Sequence, residues 1–232
     1  MKAKKTSWQS MILFALGSLA GAVLGIVILR TLLSAMAASA PGFWFVSRAA
    51  GVAGYVLLWA STAWGIMISS KAVKEHVSGA VAITLHNVTS WLALGLSAVH
   101  ALSLLGDRIV PFSLTSILLP FTADYQPVLT GLGTLSLYVG LLVMLSFYYS
   151  KRLGYRIWRT IHALSYLMFV AVTVHGALLG TDSSTLVMQL VYALAAGSVL
   201  FLTLFRVLDM AAGGTKPQRA HAGRRQHSKS LG

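Results

Sequence analysis

Four histidines carry the chemistry that this sequence offers. His86 and His100 lie fourteen residues apart in one apolar run, residues 85–105. His162 and His175 lie thirteen apart in another, within residues 158–182. A neutral imidazole has one nitrogen that can bind a metal ion and a second that donates a hydrogen bond. Both runs are long enough to cross a membrane. A histidine in hydrocarbon is costly, and its default reading is functional. A single one is better explained as a neutral residue hydrogen-bonded to a neighbouring helix. Four at matched depth on two helices are not.

The elements that position them follow from composition. The chain has 232 residues, 56% hydrophobic and 10% charged, and its mean hydropathy is +0.76. Soluble domains carry about 25% charged residues, so the sequence reads as an all-α polytopic membrane bundle. The absence of cysteine excludes disulfides, thiolate zinc sites and cysteine-ligated iron–sulfur clusters.

Residues 1–10 are a basic head. Residues 11–40 hold a first span, 11–29, and a loop of small residues ending in Ala38, Ser39 and Ala40, which resembles a signal-peptide cleavage site. At 19 residues the run exceeds the usual ~7–15 of a signal peptide, so it reads as a retained span. Gly17, Gly21 and Gly25 form a GxxxG stripe that suits close packing within the bundle, with a homodimer face as the alternative. Residues 41–208 form the main bundle. It opens with an aromatic anchor, Phe43 to Phe45, and its spans are expected at 49–69, 77–105, 128–149, 160–180 and 185–205. So drawn, no span contains Asp, Glu, Lys or Arg. The 106–127 loop contains an apolar piece, Pro111 to Phe121, too short to span and expected to lie in the interface or dip back. Residues 209–232 are a basic tail expected to be disordered. That tail suits anionic lipid headgroups or a docking donor.

Six spans put both termini on one side. That side holds fifteen of the eighteen Lys and Arg residues; the other holds Arg30, Arg48 and Arg108. The positive-inside rule then places both termini in the cytoplasm, in a cell membrane of bacterial inner-membrane type. The same distribution explains the net charge of +13 without nucleic acid.

Spans three and five are parallel, so their first histidines share one depth and their second ones another. The expected pairs are His86 with His162 and His100 with His175. Thirteen or fourteen residues rise roughly 20 Å, within a hydrocarbon core of about 30 Å. A structural zinc wants about four converging ligands, and each level offers two. A proton path would normally include buried carboxylates, and none is present. Two facing imidazoles suit the axial positions of a haem iron. Helical phase is good on span three. On span five a straight helix leaves the two histidines about 140° apart.

Phe169 lies seven residues past His162, and the matching position on span three is Ala93. The expectation is that Phe169 fills the gap between haem levels; the plain alternative is an ordinary core phenylalanine. Arg48, Arg156 and Arg159 are candidate partners for haem propionates. For Arg156 and Arg159, positive-inside charge is the simpler account.

The segments SRAAGVAGYVLLWASTAWGIMIS, LHNVTSWLALGLSAVH and WRTIHALSYLMFVAVTVHG resemble the ferric reductase-like transmembrane domain. That superfamily includes the membrane parts of NADPH oxidases, ferric reductases and the haem subunit of the methionine-sulfoxide reductase system. The resemblance covers roughly residues 45–205. It implies two b-type haems on His86, His162, His100 and His175, with electrons flowing outward from the cytoplasm. Many such proteins continue into FAD- and NAD(P)H-binding domains. Here the main bundle is followed by the 24-residue tail, 209–232, without a Gly-rich nucleotide loop. FAD or FMN would therefore sit on a partner, and the donor would be a separate reductase, a quinol or a diffusible flavin. The outer acceptor is not legible. The alternative from another class is a haem-free scaffold or transporter subunit sharing only the fold. A third reading keeps haem and makes the chain a sensor or assembly subunit.

Overall fold

A computed structural model describes residues 42–69, 77–108 and 110–211, together with Arg30 and Ser34. The expected first span, the Gly17, Gly21 and Gly25 stripe, the 71–76 loop and the residues from 212 onward lie outside the described residues.

Among the described residues the chain is helical, without strands. Numbered in order there, the helices are α1 (Gly42–Ile68), α2 (Gly79–Ser103), α3 (Leu114–Leu118), α4 (Pro127–Tyr148), α5 (Ser150–Leu153), α6 (Tyr155–Leu179) and α7 (Leu186–Ala211). A 3-10 turn, Leu104–Gly106, extends α2. Five of them, α1, α2, α4, α6 and α7, are long and apolar enough to cross a membrane. Helix is the form that satisfies every backbone N–H and C=O within one apolar segment.

The boundaries are set by local chemistry. Ser78 caps α2, its hydroxyl accepting from Val81 N–H. Pro127 stands at the start of α4, where its missing N–H costs nothing, after Gln126 in the left-handed region. Gly154, at φ +79°, separates α5 from α6.

Several helices run further than the hydropathy suggests. α1 begins at Gly42, so the Phe43–Phe45 anchor and Arg48 are helical. α6 begins at Tyr155, taking in Arg156 and Arg159. α7 runs to Ala211 and includes Arg206 and Asp209. The spans are thus not free of charge as first drawn. Hydropathy ends where side chains turn polar, whereas a helix ends where its backbone finds other partners.

The packing is that of a membrane bundle. Small residues fill the helix contacts: Ala50, Ser47, Ser61, Ala93, Thr130, Thr134 and Ala195 are buried. Leu167, Leu178, Leu186, Val187 and Phe201 point outward, each about two-thirds exposed. α1 packs chiefly on α2, and α4 on α6, giving two antiparallel hairpins. α7 closes the bundle against α1 and α6.

The piece between Pro111 and Phe121 folds back onto α4. Ser113 and Ser116 form a capping box that starts α3. Thr134 of α4 donates to the Ile117 carbonyl at 3.1 Å, and Tyr138 donates to the Leu118 carbonyl. Ile117 is buried. α3 therefore caps the end of the bundle opposite Lys151 and Arg152. We refer to these as the far end and the basic end.

Candidate functional site

The four histidines line one elongated cavity of about 970 Å³ between the two hairpins. Ligand pockets commonly measure about 300–1,000 Å³, so this one suits a large ligand or several. His86 of α2 faces His162 of α6 with ring centres 6.1 Å apart. His100 faces His175 with ring centres 6.2 Å apart. No hydrogen bond joins either pair.

That spacing has a chemical meaning. An imidazole with sides of about 1.35 Å places its nitrogen about 1.15 Å from the ring centre. A first-row metal–imidazole bond is about 2.0 Å. Two rings that bind one ion from opposite sides therefore have centres about 6.3 Å apart. Nitrogens directed along that line would be about 4 Å apart, too far for a hydrogen bond.

The hydrogen bonds decide which nitrogen is left over. Ser47 of α1 donates its hydroxyl to the His100 carbonyl at 3.1 Å. The same oxygen lies 3.1 Å from His100 Nδ1, and the Ser47 carbonyl 2.8 Å from it. With the serine proton already committed, Nδ1 is the donor. The other level repeats this with one more member. Ser90 donates to the His86 carbonyl at 2.7 Å, so in the 2.6 Å contact between Ser61 and Ser90 it is Ser61 that donates. Nδ1 of His86, 3.1 Å from both the Ser61 hydroxyl and carbonyl, then carries the proton. His175 Nδ1 donates to the Leu129 carbonyl of α4 at 2.7 Å. In all three rings Nε2 keeps its lone pair, which is the tautomer that binds metal.

Glycines let those rings lie against the neighbouring helix. A Cβ at Gly51 would fall 2.9 Å from His100 Nδ1, at Gly65 3.0 Å from His86 Cε1, and at Gly133 2.7 Å from His175 Cε1. Each glycine sits four residues after the accepting carbonyl: Ser47 and Gly51, Ser61 and Gly65, Leu129 and Gly133. The Ser-x-x-x-Gly motif thus recurs in α1 at the fourteen-residue interval that separates His100 from His86. Sequence reasoning passed over these residues. The matching interval was the signal that could have found them.

α6 is α-helical throughout. Its two histidines nevertheless reach the same cavity, because they are mounted differently. His175 leans on α4, whereas His162 stacks on Trp158 of its own helix, ring centres 5.4 Å apart at 26°.

Phe169 follows the plain alternative, a core phenylalanine, and does not fill the gap between the histidine levels. It is buried, at 3% exposure, but is not part of the cavity wall. It packs with Ile66, Ala195 and Val199 and stacks on Tyr55 of α1, ring centres 6.2 Å apart. Tyr55 lines the cavity between the two histidine levels, and Phe169 backs it. The helical position of Phe169 was legible, but which neighbour would receive it was not.

Arg48 stands at the far mouth of the cavity, already engaged. Its Nε donates to Asp182 Oδ2 at 2.9 Å, and Nη2 donates to Oδ1 of the same carboxylate. The guanidinium lies 3.9 Å from the Trp44 ring centre. An incoming carboxylate would meet a neutralised pair rather than a free cation. At the basic mouth Arg159 and Arg206 line the cavity, while Arg156 is exposed and does not. Arg206 escaped notice because the expected span stopped at residue 205.

The donor set fits haem better than a bare ion. No group of three or more metal-binding side chains occurs among the described residues. Each level offers two imidazoles, so an ion held between them would need its further ligands brought with it, as a macrocycle would bring them. Comparison with known protein families, with characterised proteins and with solved structures yields no match.

Proposed function

We propose that the protein is a ferric reductase-like electron conduit that holds two haem b groups in its membrane bundle. The ring-centre spacing of 6.1 and 6.2 Å at two separate levels carries this reading. Haem iron supplies a one-electron couple that cycles without proton transfer from its ligands. The chain's own residues do the rest. The Ser47, Ser61 and Leu129 carbonyls orient His100, His86 and His175 and fix their tautomer, and the surrounding apolar helices exclude water.

Electrons would enter at the basic end, the cytoplasmic side by charge placement. The donor would be a flavin-carrying partner reductase or a quinol. They would leave at the far end to an acceptor of the outer side. Arg159 and Arg206 are the better placed partners for propionates at the basic end.

An absorption spectrum of dithionite-reduced, purified protein tests the reading. A b-type α-band is expected, and its absence would leave a haem-free scaffold. His100→Ala and His175→Ala should each remove the same haem, and His86→Ala and His162→Ala the other. Loss of one shared haem in His86→Ala and His175→Ala would overturn the pairing. Electron transfer across proteoliposomes separates a conduit from a sensor.

A further inference from the structure

The four histidine mountings are not equivalent. Three follow one rule: an Nδ1–H donated to a backbone carbonyl of the adjacent helix, and a glycine four residues later under the ring. On α4 the positions fourteen beyond Leu129 and Gly133 are Val143 and Phe147. Where the pattern calls for a glycine, there is a phenylalanine. His162 has no hydrogen bond to either ring nitrogen among the described residues. It rests on the face of Trp158, whose own Nε1–H is buried without a partner.

The difference matters for a metal ligand. A donated Nδ1–H fixes ring orientation and raises the basicity of the other nitrogen. Stacking is an attraction that tolerates sliding. The far-end rung is tethered on both sides, by Ser47 and Leu129. The basic-end rung is tethered at His86 alone.

We propose that the basic-end rung is the exchangeable one, where the His162 position yields to a small neutral diatomic ligand while the far-end rung stays closed. Trp158 is the positioning residue that holds His162 in place. This inference rests on the haem reading above and concerns the behaviour of that same site.

The test uses carbon monoxide on dithionite-reduced full-length protein, read by absorption. Wild type should bind carbon monoxide at one of its two haems. A His100→Ala/His175→Ala protein, keeping only the basic-end site, should bind it, and a His86→Ala/His162→Ala protein should not. Trp158→Ala should speed carbon monoxide association about two- to tenfold, and Trp158→Phe should restore the wild-type rate. Carbon monoxide bound at both haems, at neither, or only at the far-end haem overturns the proposal. If a double variant fails to load, the wild-type stoichiometry and the Trp158 pair still decide. Wild-type protein without haem overturns the functional reading instead, and this inference with it.

Discussion

Single atoms decide whether each histidine ring can lie where it does. A methyl group at Gly133 would sit 2.7 Å from His175 Cε1. Overpacking of that kind typically costs about 1–3 kcal/mol. Gly133→Ala should therefore lower the melting temperature in detergent and disturb the far-end site. Gly95 meets nothing within 4 Å, so Gly95→Ala should be neutral or stabilising by up to about 1 kcal/mol, as alanine is in a helix. Equal melting temperatures for the two variants would contradict the cradle. The Arg48–Asp182 pair gives a second test. Both side chains are about 30% exposed, so solvent screens part of a charge-assisted bond. A double-mutant cycle should return a coupling of about 1–2 kcal/mol that shrinks with salt. A coupling indistinguishable from zero would mean that the pair does not tie α1 to the α6–α7 connection.

At the scale of elements, the two hairpins do the positioning. α1 mounts the histidines of α2, and α4 mounts one histidine of α6. α3 belongs to the second hairpin and closes its far end. Its buried anchor is the Thr134 hydroxyl on the Ile117 carbonyl, beside the exposed bond from Tyr138 to the Leu118 carbonyl. Thr134→Val keeps the shape and removes the donor, which should cost about 1 kcal/mol. Amide hydrogen exchange should then rise in residues 113–119 and stay unchanged in the middle of α4. Faster exchange spread evenly along α4 would show that the bond supports the helix rather than the cap.

At the scale of the whole molecule, charge placement predicts direction. Lys151, Arg152, Arg156 and Arg159 mark one end, and Asp107, Asp124 and Asp182 the other. The chain has no cysteine, so single introduced cysteines report topology without background. Ser150→Cys should react with a membrane-impermeant maleimide only in inverted vesicles, and Thr122→Cys only in right-side-out ones. The reverse pattern would turn the proposed electron path around. Outward Leu, Val and Phe against inward Ala, Ser, Thr and Gly is what hydrocarbon outside and close packing inside demand.

Depth was legible in the sequence. Rise along a helix is local, about 1.5 Å per residue, so the intervals 86–100 and 162–175 were enough to set two levels and to put His86 opposite His162. The five long described helices were legible too, although α1 begins seven residues before its expected start and α7 ends six beyond its expected end. What tertiary structure alone decided is rotation and neighbourhood. Phe169 turned to Tyr55, Arg48 found Asp182, and three histidines found a carbonyl beside a glycine while His162 found Trp158. Each of those outcomes depends on which helix face meets which. Pairing of that kind is fixed by side chains far apart in the chain, and no local period records it.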